Sequence, residues 1–453
     1  MAGDLHNGRA YKPMPPKMHL DIVTARLGNY AHIVKPKILS TLPEYTSALF
    51  LADLIAGITV AMVALPLSIA IAIASGADPA KGLITAIVAG FLISLFGGSR
   101  VQIGGPTGAF IVVVFGIIAE YGYDGLVLAT LMAGIILLIA GLLRTGNLIV
   151  YIPESVINGF TIGIAIIIAT SQLKDLLGLN IASIPADFIE KLPVLWAARG
   201  GINLYAIGIA TLTMVGIVGL RRLAPRFPGL ILAVTITSAL VGIFALPVDT
   251  IFSRYGALPD HLPWPKLPAV SVVRLIELLP SAFIIAFLAG VESLLSAMVA
   301  DRMIDSKHRS NAEILAQGIA NTGSALFGGL PATGAIARTA TNVRAGGQTP
   351  VAGIIHAFVI LLVVMTVGWI AGYLAMPALA AILILTAYNM SEPHKWRGYL
   401  AEPMEDRLLL VLTLLLTVIV DLSVAIGVGV AVGLALRLRR RNVPPAHWTP
   451  PER

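Results

Sequence analysis

Gly328-Gly-Leu-Pro331-Ala-Thr-Gly334-Ala-Ile-Ala-Arg338-Thr-Ala-Thr-Asn342 places small residues, a helix start and one arginine in the middle of an otherwise apolar chain. It reads as an anion site inside a membrane. Pro331 suits the first turn of a helix, where its missing N–H is no loss, and Ala332, Gly334 and Ala335 let a ligand approach the backbone closely. Free N–H groups at such a helix start carry partial positive charge. Arg338 is then expected about two turns in, too deep to cap the helix but able to reach the same region. An arginine flanked by apolar segments is either functional or paired.

Working outward, the first half of the chain holds a second copy, Phe96-Gly-Gly-Ser-Arg100-Val-Gln-Ile-Gly-Gly105-Pro-Thr-Gly-Ala-Phe110. Two short Gly/Pro-interrupted apolar segments at matching places in two halves point to a transporter built from inverted repeats, with its site near the bilayer midplane. Either motif alone could simply break a helix for packing. Their pairing, with Arg338 in one of them, favours the site.

Composition agrees with a membrane setting. Hydrophobic residues make up 57% of the 453 residues and charged ones 12%, and the mean hydropathy is +0.88; a soluble domain carries about a quarter charged residues. The chain is an all-α polytopic membrane protein, with room for roughly a dozen spans of about 20 residues. The absence of cysteine excludes disulfides, thiolate chemistry and cysteine zinc sites. No zinc-binding His-Glu-x-x-His, Walker motif or Gly-x-Ser-x-Gly elbow is present, so an embedded enzyme or primary pump lacks its chemistry.

The net charge of +7 is topological rather than a nucleic-acid signal, because the basic residues sit between apolar runs. Arg9, Lys12, Lys17, Arg26, Lys35 and Lys37 precede the first span, followed by the clusters Arg221/Arg222/Arg226, Arg302/Lys307/Arg309, Lys395/Arg397/Arg407 and Arg437/Arg439/Arg440/Arg441. By the positive-inside rule all face the cytoplasm, both termini are inside, and the number of crossings is even. The first 50 or so residues contain no cleavable signal, so insertion is expected to begin with the first true span.

Apolar runs are expected as spans at about 53–75, 82–97, 106–119, 125–143, 148–171, 202–220 and 227–248, and again at about 272–299, 312–327, 331–343, 351–372, 375–390, 406–420 and 421–438. Pro66 should kink the first of them and free a carbonyl near mid-membrane. A mixed loop with Lys174, Asp175, Asp187, Glu190 and Arg199 lies in the first half, and a Pro-rich loop, Leu258 to Pro268, separates the halves. The run from Leu408 to Leu436 is split at Asp421, and Gly427, Gly429 and Gly433 are read as helix packing, not as a nucleotide loop.

The two glycine motifs, together with Gly290-Val-Glu-Ser-Leu-Leu-Ser-Ala-Met-Val-Ala-Asp301, resemble the bacterial branch of the SulP sulfate-permease family of anion transporters, from Asp53 to Arg437. The resemblance implies 14 transmembrane segments arranged as two inverted seven-segment repeats, the uracil-permease-like fold, with spans 3 and 10 as short half-helices. It divides the chain into a cytoplasmic segment 1–52, a first repeat 53–250, a linker 251–270, a second repeat 271–438 and a cytoplasmic tail 439–453. Spans 1–4 and 8–11, about 53–146 plus 271–372, would form a core domain; about 147–250 plus 375–438 would form a gate domain. The family normally continues into a cytoplasmic STAS domain, whereas this sequence stops at Arg453, so the expectation of a homodimer is weakened.

The substrate site so implied comprises Gly105, Thr107, Gly108, Ala109 and Phe110 from the first motif, and Thr333, Gly334, Ala335, Ala337 and Arg338 from the second. Leu67 joins them, although many relatives carry glutamine after this proline and no polar contact carries over. Glu292, inside an apolar run with Ser293 beside it and Ser296 one turn away, is the candidate ion-coupling group, since relatives carry an acid there. A carboxyl in the membrane is able to take up and release a proton, with a structural hydrogen bond as the competing role. A sodium site would need several more oxygen ligands, for which Ser293, Ser296 and backbone carbonyls are the candidates, so the proton is preferred. His356 is read as making one structural hydrogen bond, Asp421 is treated alike, and Asp301, Arg302, Asp305, Lys307 and Arg309 read as a solvated loop.

The expected function is proton-coupled symport of a small anion by alternating access across a bacterial inner membrane. A C4-dicarboxylate such as fumarate or succinate ranks first, then bicarbonate or sulfate. An uncoupled exchanger, channel or voltage-responsive motor, or a sodium-coupled bicarbonate transporter, is the alternative. The expected partners are the anion and the lipid bilayer; neither a cofactor, a metal nor nucleic acid is called for.

Overall fold

The computed structural model describes residues 35–146, 153–181, 184–224, 228–420 and 422–439. Arg9, Lys12, Lys17, Arg26, Arg226, Asp421, Arg440 and Arg441 therefore lie outside the described residues.

The apolar runs form helices α1 (Ser47–Ala74), α2 (Pro79–Phe96), α3 (Ile111–Leu142), α4 (Glu154–Leu176), α5 (Leu204–Leu223) and α6 (Gly229–Ile243) in the first half. The second half contains α7 (Val272–Ile304), α8 (Ser310–Leu326), α9 (Ile336–Arg344), α10 (Val351–Ala371), α11 (Met376–Met390), α12 (Met404–Ile419) and α13 (Leu422–Arg439). α3 is two spans in one run, broken at Gly122, whose φ of 71° and ψ of 176° favour glycine over any other residue. Counting its halves separately gives fourteen segments, seven before the Pro-rich loop and seven after it. Seven described helices are individually long and apolar enough to cross a bilayer; α9, at nine residues, is a half-helix.

Helix starts follow local chemistry. Thr46 accepts from the Leu49 N–H at 3.3 Å, Asp78 from the Ala80 N–H at 2.8 Å beside Pro79, and Ser271 from the Arg274 N–H at 3.3 Å. Large apolar side chains such as Leu212 and Val215 on α5 and Leu362 and Met365 on α10 face outward, as lipid permits and water does not.

Packing repeats itself between the halves. α8 lies on the second half of α3 as α10 lies on α2, and α7 lies on α3 as α10 lies on α1. In the other group α12 packs on α4 as α5 packs on α11. On the axis relating the halves, β1 (Gly104–Gly105) pairs antiparallel with β2 (Thr333–Gly334), Gly104 opposite Gly334 and Gly105 opposite Thr333. This is the inverted-repeat architecture. Close approach of α3 and α8 depends on small residues, since a side chain on Gly134 or Gly318 would meet the other helix's backbone at 2.7 Å. Gly429 and Gly433 of α13 likewise sit against Val156 and Pro153 at α4, while Gly427 has open space beside it.

Several expected boundaries move. Pro331 does not start a helix; α9 begins at Ile336, and Arg338 is its third residue rather than two turns in. The backbone ahead of it is held extended by other partners: the Leu330 N–H by Thr85 at 2.6 Å, and both backbone groups of Ala332 by Asn321 at 2.9 Å. α1 begins at Ser47, and Asp53, buried inside it, accepts from the Gln348 and Thr349 N–H groups at 2.8 and 3.2 Å. α1 runs as one helix through Pro66. The mixed loop contains a helix, Phe188–Ala197, with Ile189, Leu192 and Trp196 exposed. α7 runs on to Ile304 before Asp305 ends it in the left-handed region.

Candidate functional site

β1 leads into a short 3-10 turn, Gly108–Phe110, at the head of α3, and β2 leads into α9. Neither start carries a side-chain cap, at Thr107 or at Ala335. Their uncapped N–H groups meet near the β1–β2 crossing, where the partial positive charge of both starts adds.

Arg338 is 1% exposed and its charge stands at this crossing. Its Nη2 donates to Ser68 Oγ on α1 at 3.0 Å and to the Pro106 carbonyl at 3.1 Å. Among the described residues, Nε and Nη1 have no protein acceptor. Gly105, at φ 147°, leaves the guanidinium its room, because a Cβ there would collide with Nη1. Glu292 on α7 accepts from Thr107 Oγ1 at 2.9 Å. A carboxyl and a guanidinium are thus tied to consecutive residues of one loop, Thr107 and Pro106.

These groups line a cavity of about 1520 Å3 between the two helix groups. Leu67, Thr107, Gly108, Ala109, Ala335, Ala337, Arg338 and Glu292 contribute to its wall. The facing wall comes from α4 and α11, with Ile157, Asn158, Thr161, Thr386, Asn389 and Met390. The cavity continues to Arg221, Arg302 and Arg344 in the last turns of α5, α7 and α9, all exposed.

The remaining expected residues stand behind this wall. Gly105, Thr333 and Gly334 form the strand pairing, with Thr333 Oγ1 donating to the Ala289 carbonyl at 2.9 Å, and Phe110 is packed into the core. Ser293 and Ser296 are not grouped with Glu292. Ser293 Oγ donates to Glu313 at 2.7 Å and receives Gln102 and Gln317, while Ser296 pairs with Thr339 at 3.1 Å. Ser293, one residue on from Glu292, points about 100° round the helix, whereas Ser296, four residues on and near the same face, is taken up by Thr339 of α9. His356 is fully buried without its expected hydrogen bond, neither ring nitrogen having a partner among the described residues.

Sequence reading passed over Ser68, Gln102, Glu313, Gln317 and the α4–α11 wall. Ser68 had a usable signal, a polar residue two past Pro66 in an apolar span. Glu313, at the start of the run expected at 312–327, carried no signal that set it apart. The wall from α4 and α11 has no motif, and only the packing brings it opposite Arg338.

Residues 50–405 match the sulfate permease family. YvdB of Bacillus subtilis, which bears a sulfate-transporter name, is 44% identical over 370 residues, covering 82% of this chain and 70% of the relative. The bicarbonate transporter BicA of Picosynechococcus is 31% identical over 342 residues, covering 73% of this chain and 60% of the relative. The chain thus spans about 60–70% of these relatives' length. The solved transmembrane domain of a cyanobacterial BicA superimposes with a TM-score of 0.76 at 30% identity, over 84% of this chain and 99% of that one. Both sequence relatives are named as transporters and neither as an enzyme. The chain therefore belongs to the sulfate permease family, as a multi-pass membrane protein of its inverted-repeat, anion-transporting kind.

Proposed function

We propose that the protein carries a small oxyanion across the bacterial inner membrane by alternating access, with the anion held at the β1–β2 crossing. The observation that carries this is Arg338, a buried guanidinium on the cavity wall with two N–H-bearing nitrogens that have no protein acceptor among the described residues, between two uncapped helix starts. Thr107, Gly108, Ala109, Ala335 and Ala337 complete the anion's surroundings, and Leu67 supplies an apolar wall. The α1–α3 and α7–α10 group would move with the anion against the α4–α6 and α11–α13 group. Arg221, Arg302 and Arg344 at the mouth suit a cytoplasmic opening by the positive-inside rule, with both termini on that side.

Coupling is assigned to Glu292, whose contact with Thr107 joins it to the loop that holds Arg338. The proton remains preferred over sodium, because Ser293 and Ser296 direct their hydroxyls to other partners. One guanidinium suits a monoanion, or a dianion that brings a proton with it. Bicarbonate and sulfate come before a C4-dicarboxylate because the relatives are named for them. The test is uptake of each labelled anion into proteoliposomes, with and without an inward pH gradient. Gradient-stimulated uptake of one of the three is expected. Uptake of an anion that ignores the gradient would leave a facilitator or exchanger, and no uptake of any would refute the reading.

A further inference from the structure

Glu313, in the first turn of α8, is 0% exposed and forms none of the ion pairs found among the described residues. Its Oε2 accepts from the Gly98 N–H at 2.9 Å. Its Oε1 accepts from Ser293 Oγ at 2.7 Å and from Gln317 Nε2 at 2.9 Å. Ser293 Oγ in turn receives Gln317 Nε2 at 2.7 Å and Gln102 Nε2 at 2.9 Å, so its own proton goes to Glu313. The set joins the end of α2, the approach to β1, α7 and α8. Burying a carboxyl outside any ion pair is costly, so its presence here calls for a role.

Its position supplies one. The loop from Gln102 to Thr107 is fastened to α7 at both ends, Gln102 to Ser293 and Thr107 to the adjacent Glu292. Between these ends lie β1 and Pro106, whose carbonyl receives Arg338. The Thr107 end faces the cavity, where ions arrive; the Gln102 end is buried. We propose that Glu313 is a positioning residue of the anion site: by locking Ser293, Gln317 and Gln102 it fixes the buried end of this loop and so sets where the Pro106 carbonyl holds Arg338. The proposal rests on the transport reading for its effect on uptake, while the effect on the loop itself is independent of it.

Glu313→Gln puts an amide NH2 where every partner donates, so one of three hydrogen bonds must open. With folded, monodisperse protein, the apparent KM for anion uptake should rise about tenfold while the maximal rate stays within about twofold. Gln102→Ala should act in the same direction more weakly, and it serves if Glu313→Gln does not fold. Since the chain has no cysteine, Ala109→Cys is a single reporter at the cavity wall. Its maleimide labelling rate should rise about threefold or more when either change is added, as the loop opens more often. Unchanged KM and labelling would overturn the proposal. So would a parallel loss of KM and rate performance at unchanged labelling, the mark of a merely structural group. If the unaltered protein takes up no anion, the transport reading fails on its own, and the labelling rates still decide the role of Glu313.

Discussion

Replacing Arg338 with alanine removes the buried charge of the site, and the size of the effect follows from its surroundings. An anion seated about 4 Å from the guanidinium gains about 4 kcal/mol at an effective dielectric near 20. That corresponds to roughly a thousandfold in affinity. The change also leaves Ser68 Oγ and the Pro106 carbonyl without their donor, at about 1–3 kcal/mol each if no water enters. Arg338→Lys keeps the charge, but one ammonium nitrogen cannot hold Ser68 and Pro106 and also present the N–H groups that Nε and Nη1 carry, so it should weaken uptake by about ten- to a hundredfold. Both variants go into proteoliposomes, with initial uptake measured against anion concentration and folding checked by size-exclusion profile and thermal unfolding. Arg338→Ala protein that is folded and takes up anion at the wild-type KM would refute the assignment. Aggregated protein in both variants would instead mark the arginine as structural.

Glu292→Gln should abolish stimulation of uptake by an inward pH gradient while exchange of labelled for unlabelled anion continues, which paired flux assays would register. Ser68→Ala, which removes one of the two bonds to Nη2, should raise the apparent KM by about three- to tenfold in the same uptake assay. Gly105→Ala, at φ 147° against the guanidinium, should lower thermal stability by about 1–3 kcal/mol and largely stop uptake. Outside the membrane, burial pushes the Lys191 ammonium, which donates to Ser171 Oγ, down to about 8. The unfolded chain then binds more protons than the folded one between about pH 8 and 10.5, so this residue makes stability rise with pH there. In Lys191→Met that rise should be missing from melting temperatures recorded across the range.

The membrane class, the fourteen-segment pattern and the paired glycine motifs were legible in the sequence because they depend on local properties. A lipid-spanning helix needs an unbroken apolar run whatever its neighbours, and a helix start exposed to a ligand needs small residues wherever it lies. Arg338 and Glu292 stood out for the same reason, as charges in apolar runs. Helix boundaries at the site were not legible. Asn321, from the preceding helix, and Thr85 and the β1–β2 pairing, from the other half of the chain, hold Leu330 to Gly334 extended, and no local pattern announces these contacts.

The division of labour along α7 was likewise decided only in three dimensions. Glu292, Ser293 and Ser296 are close in sequence, yet the packing of α8, α9 and the β1 loop sends them to different partners. Glu313, unremarkable as a first-turn acid, becomes the centre of a buried network because α8 is packed against both α7 and the end of α2. Ser68 reaches Arg338 across 270 residues. Composition and periodicity record what each segment needs from its solvent; which side chains meet depends on the pseudo-twofold packing of two repeats, which no local run of residues encodes.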